Sequence, residues 1–87
     1  NKSQRFERKD NRMKAFVLIT TRTGEVRDVV RQLTRVDGVL EAHMTFGPYD
    51  AIAAIQANDI NHLGRILSNS IQPIPGITQT LTLLAVD

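Results

Sequence analysis

The stretch Phe46-Gly47-Pro48-Tyr49-Asp50 sits between two short runs of apolar residues and leaves the chain few ways to fold. Glycine admits a positive φ and proline presets its own, so the pair reverses the chain between two strands. A second break, Ile74-Pro75-Gly76-Ile77, follows about one helix later. Between them these breaks set a β-α-β-β-α-β rhythm from Met13 to Val86.

The first predicted strand runs from Lys14 to Thr21. Ala15, Val17 and Ile19 point one way and Phe16 and Leu18 the other. Both faces are apolar, so the strand belongs in the middle of a sheet. The third, Tyr49 to Ala57, has the same two-sided character through Ala51, Ile52, Ala53, Ala54 and Ile55. Its alanines are poor strand formers, so packing must impose the strand. The second, Val39 to Phe46, alternates Leu40, Ala42, Met44 and Phe46 with Glu41, His43 and Thr45, which share their face with Val39. The last, Ile77 to Val86, sets Ile77, Leu81, Leu83 and Ala85 against Thr78, Thr80, Thr82 and Leu84. These two half-polar strands read as sheet edges.

Two helices separate the strands. Glu25 to Thr34 or Arg35 carries Val26, Val29, Val30 and Leu33 at helical spacing, with Thr23 as candidate cap. Arg27, Arg31 and Arg35 form a charged stripe on it, read as a solvated face. The second helix starts at Asn58-Asp59 and runs to about Ser70 or Ile71. It carries Ile60, Leu63, Leu67 and Ile71 as a stripe with Ile66 beside it. Gly64 inside it is expected to allow close helix–sheet contact. Pro73 and Pro75 stop it.

Two such units joined by a hairpin give an α+β ferredoxin-like βαββαβ sandwich. Both helices cover one sheet face. The other face is expected to carry Glu41, His43, Thr45, Thr78, Thr80 and Thr82 around an apolar centre. That centre is expected to pack on a second copy across a two-fold axis, a dimeric α/β barrel. With only 87 residues and no cysteine, the domain lacks other means of adding stability.

Charge separates a tail from the domain. Residues 1–14 hold six basic groups against two acids, whereas the rest holds five arginines against seven acids. Residues 1–12 therefore read as a disordered or appended basic tail ahead of a ligand-binding domain at 13–87. The folded part has no net charge that would draw nucleic acid. No apolar run reaches the length of a bilayer span, and the expected location is cytoplasmic.

Lys14-Ala15-Phe16-Val17-Leu18-Ile19, Val36-Asp37-Gly38-Val39, the 46–50 turn, and Ile74-Pro75-Gly76-Ile77 with its Thr78 to Thr82 run resemble, in this order, the effector-binding (RAM) domain of Lrp/AsnC transcriptional regulators. The resemblance covers about Met13 to Val86. It implies a ferredoxin-like domain that dimerises through its sheets and assembles into rings of dimers, with a small effector, usually an amino acid, held between neighbouring dimers. Full-length members carry an N-terminal helix-turn-helix, which residues 1–12 cannot form. The chain thus resembles a stand-alone form or a fragment, and direct DNA binding by it is not expected. Full-length regulators are candidate partners through co-assembly.

The resemblance places a ligand at Gly47 and Asp50. Turn N–H groups can take a carboxylate and Asp50 can pair with an ammonium, while Tyr49 adds a ring and a hydroxyl. The plainer reading is a hairpin in which Asp50 satisfies local N–H groups. Thr80 and Thr82 are added as candidates on the last strand, where threonine is also an ordinary strand residue. His43 and His62 are too isolated for a metal site, and His43 reads as an interface residue. No nucleophile–base set or phosphate-cradling glycine loop is present, so neither a catalytic residue nor a cofactor is expected. The reading is a non-catalytic amino-acid sensor. The alternatives are a ligand-free assembly partner of a full-length regulator and a small dimeric ferredoxin-like enzyme.

Overall fold

A computed structural model describes residues 12–87. The expected tail over residues 1–12 lies, apart from Arg12, outside the described residues, and Arg12 is exposed just ahead of the first strand. The elements are β1 (Met13–Thr21), α1 (Val26–Leu33), β2 (Val39–Met44), β3 (Ala51–Ala57), α2 (Ile60–Arg65), a π-helical extension (Ile66–Ile71) and β4 (Ile77–Leu84). The four strands form one antiparallel sheet in the order β2-β3-β1-β4. The two-sided strands β1 and β3 are central and the half-polar ones are edges, the ferredoxin-like arrangement.

Ala15, Val17 and Ile19 of β1 and Ala51, Ala53, Ile55 and Ala57 of β3 are buried beneath the helices. Val29 and Leu33 of α1 and Leu63, Ile66 and Ile71 of the second helical unit close the core over them. Small alanines opposite Val17 and Ile19 let the helices approach the sheet.

Local detail departs from the alternation pattern in four places. The N-cap of α1 is Glu25, not Thr23, and it makes no capping hydrogen bond; its carboxylate instead meets Arg22 at 3.0 Å. β2 carries an irregularity between Val39 and Glu41. Val39 pairs with Ile55 and Ala42 with Ala53, so both lie on the helix face, while Glu41 and His43 face the other way. Leu40 is the extra residue, which is why Val39 does not share a face with Glu41.

The second helix widens. Gln72 N–H donates to Leu67 O at 2.8 Å, an i→i+5 step that sets Ile66 and Ile71 on one face. The buried stripe is thus Leu63, Ile66 and Ile71, and Ile60 is 55% exposed. Asp59 caps the helix through His62 N–H at 2.8 Å. Gly64 faces open space rather than the sheet, so its expected close contact is not formed.

The fourth departure matters most. β4 pairs with β1 so that Thr82 lies opposite Val17 and Thr80 opposite Ile19, both core residues. Directly paired residues share a face. Thr80 and Thr82 therefore lie on the helix face, and Leu81 and Leu83 on the open face, the reverse of the expectation. A register shift at Thr20/Thr21 leaves Thr78 out of the pairing and returns Ile77 to the core side. The open face thus presents Phe16, Leu18, Ile52, Ala54, Leu81 and Leu83, flanked by Glu41 and His43.

Candidate ligand site

The β2–β3 connection spans residues 45–50. Gly47 takes φ +139°, and a Cβ added there would meet nothing within 4 Å. The glycine thus serves the turn's conformation and leaves its outer side open. Two bonds brace the turn internally: Thr45 N–H donates to Asp50 O at 3.0 Å, and Thr45 Oγ1 donates to Tyr49 O at 2.7 Å. Phe46 stands wholly out of the fold at 106% exposure.

Asp50 is fixed from both its backbone and its side chain. Its N–H donates to Ile19 O at 2.8 Å, and its Oδ2 accepts the Thr21 N–H at 2.8 Å. The Thr21 hydroxyl lies at 3.5 Å from the same oxygen. The carboxylate thus satisfies a backbone N–H, as the plainer reading expects, but one on β1 rather than within its own turn. Among the described residues its Oδ1 accepts nothing, so one oxygen remains for a cationic or donor group.

β1 carries the candidates together. Asp50 and Thr80 flank Ile19 from opposite sides, one through its N–H, the other by strand pairing. Thr82 lies one helix-face position farther along, opposite Val17. The side-chain hydroxyls of Tyr49, Thr80 and Thr82 make no hydrogen bond among the described residues. Gly47, Tyr49 and Asp50 thus cluster at one sheet end with Thr80 one strand away, and Thr82 stands at the margin. Thr78 is engaged elsewhere, donating to Thr20 O at 3.1 Å.

Sequence reading missed Thr21 and Thr45, which position the turn. Their partners come from pairing across the sheet, for which an isolated hydroxyl gives no signal. His62 is also employed locally, its Nδ1 accepting the Asn58 N–H at 2.9 Å. Among the described residues no cluster of His, Cys, Asp and Glu could hold a metal ion. Nor is any helix of the described residues long and apolar enough to cross a membrane.

Comparison with known proteins agrees with this architecture. The model of the Lrp/AsnC ligand binding domain matches residues 14–87. An uncharacterised HTH-type transcriptional regulator of Pyrococcus horikoshii is 32% identical over 59 residues, 68% of this chain and 39% of that protein. The HTH-type transcriptional regulator FL11 of Pyrococcus abyssi is 31% identical over 72 residues, 83% of this chain and 47% of that one. The chain therefore spans less than half the length of these curated relatives. The crystal structure of FFRP-DM1 superposes with a TM-score of 0.81 at 30% identity, covering 85% of this chain and 99% of that one. With the family model spanning 14–87 and the ferredoxin-like sheet in place, the chain belongs to the Lrp/AsnC ligand-binding domain family.

Proposed function

We propose that this chain is a non-catalytic regulatory module that binds a small molecule, an amino acid, at the 47–50 turn and transmits binding through self-assembly. The observation that carries the reading is the turn itself. It lies in a chain of the ligand-binding family, with Asp50 held rigidly by Thr21 and still keeping one carboxylate oxygen open. An α-ammonium suits that oxygen, and the N–H groups of the turn suit a carboxylate. Thr80, on the helix face one strand away, is a further candidate contact with an uncommitted hydroxyl, and Thr82 lies farther off at the margin.

A single copy leaves the turn on the surface, so the site is completed by another copy. The open face supports association on its own grounds. Leu81 and Leu83 stay 46% and 48% exposed in the single chain, beside Phe16, Leu18 and Ile52. Apolar area of this kind favours burial by about 25 cal/mol per Å². Full-length regulators of the family are further candidate partners through the same face.

A thermal-shift series with the twenty common amino acids tests the reading. A ligand of the native state raises stability by RT ln(1+[L]/Kd). One or a few amino acids should give a saturable rise that Asp50→Asn and Thr80→Val diminish. If none shifts the transition at millimolar concentration, the sensing role fails and an assembly role without a ligand replaces it.

A further inference from the structure

The opposite end of β3 from the 47–50 turn borders a cleft of about 430 Å³, within the size range of small-molecule sites. The two ends of this strand lie roughly 20 Å apart at about 3.3 Å per residue. Three departures from regular backbone meet at the cleft. The irregularity in β2 sets Leu40, 52% exposed, on its wall. Gly38 takes φ +99°, and a Cβ there would fall 2.9 Å from Ile66 Cδ1 and 3.2 Å from Gln56 O. The π-helical segment contributes Ile66 and Asn69. Bulges and π-turns interrupt regular hydrogen bonding and are enriched where a fold shapes a binding surface.

Several of the polar side chains lining the cleft have donors to offer. Arg65 lines the cleft and makes no ion pair or side-chain hydrogen bond among the described residues, although Asp37 lines it too. The side-chain amides of Gln56 and Asn69 are equally free among the described residues. His62 accepts the Asn58 N–H through Nδ1, which leaves the proton of the neutral ring on Nε2 as a donor. A guanidinium fork beside amide and imidazole donors matches a planar carboxylate or a phosphate. Leu40 and Ile66 supply an apolar wall for a short carbon skeleton. Asp37 and Arg12 also line the cleft, and its size restricts the class to small anions.

We propose that this cleft is a second ligand site, taking a small carboxylate or phosphate anion on the Arg65 guanidinium with Asn69 and His62 donating alongside. It is separate from the turn, and its success or failure is independent of amino-acid sensing there.

The test uses the full chain at pH 7, with ionic strength held constant by potassium chloride. Thermal unfolding is followed during titration with inorganic phosphate and, separately, with succinate. At least one anion should give a saturable rise in Tm, about 5 °C or more at ten times Kd. The arm that responds identifies the anion. Arg65→Gln should abolish the rise and Asn69→Ala should weaken it. Arg27→Gln on α1 and Asp50→Asn in the turn should leave it intact. Equal transitions in anion and chloride, an unchanged response in both Arg65→Gln and Asn69→Ala, or loss of the response in Asp50→Asn would each overturn the proposal.

Discussion

The Oδ2 of Asp50 and the backbone N–H of Thr21, 29 residues apart in the chain, meet at 2.8 Å. This bond ties the β2–β3 turn to the end of β1 and sets where the free Oδ1 points. A group proposed to take a ligand is thus first a structural tie, and any substitution there has two consequences.

Asp50→Ala should lower stability by about 1–2 kcal/mol, because it leaves a partly buried N–H without an acceptor. Asp50→Asn keeps an acceptor oxygen and should cost less than half as much. Urea unfolding of the two variants separates the tie from the ligand role. Equal losses would show that the Thr21 bond contributes nothing to stability.

The open face should hold copies together. Leu81 and Leu83 lie beside Phe16 and Leu18 through the β1–β4 register. Leu83→Glu would place a charge in that apolar centre. It should weaken self-association by about 2 kcal/mol or more, roughly thirtyfold in Kd. Sedimentation velocity at micromolar concentration checks this, and an unchanged sedimentation coefficient would rule the face out as an interface.

Two glycines should respond oppositely to alanine. Gly38→Ala meets both a positive φ and Ile66 Cδ1 at 2.9 Å and should cost about 1–3 kcal/mol. Gly64 lies in α2 with open space around the new Cβ. Gly64→Ala should stabilise by about 0.5–1 kcal/mol through helix propensity. Chemical denaturation of each variant gives the sign directly. A loss at Gly64 would mean that its open side is covered by another copy.

The Glu41 carboxyl should titrate below its ordinary value. His43 Nε2 lies 2.9 Å from Glu41 Oε1 on the edge of the open face. This hydrogen bond, helped by the charge of His43, lowers the Glu41 pKa below its ordinary value. The stabilisation from a lowered carboxylate is fully present above the unfolded-state pKa and is lost as pH falls through the folded one. Carbon-13 NMR of the Glu41 carboxyl should therefore show a midpoint below that of a free glutamate. His43→Ala should raise it. Identical midpoints in the two proteins would dissolve the pair.

Much of the fold is legible because strands and helices bury apolar groups with different periods. Val17 and Leu18 are both apolar, so β1 needs cover on two sides and lies inside the sheet. Gly47-Pro48 and Pro75-Gly76 mark the reversals by backbone chemistry alone. The candidate site is less legible. Gly47, Tyr49 and Asp50 are adjacent in the chain, but the partner of Asp50 is on another strand. The cleft at Arg65 draws on β2, β3 and α2 together, so no local pattern announces it.

The sequence by itself determined the order of elements, the central strands and the turns, since each follows from local alternation, helical spacing or the φ preferences of glycine and proline. Tertiary pairing decided which way each edge strand faces. A period of two groups Thr80 with Thr82 and Leu81 with Leu83, yet it is symmetric about the sheet and cannot say which group meets the helices. That choice was made by the register against β1, where Thr80 falls opposite the buried Ile19 and the leucines are turned outward.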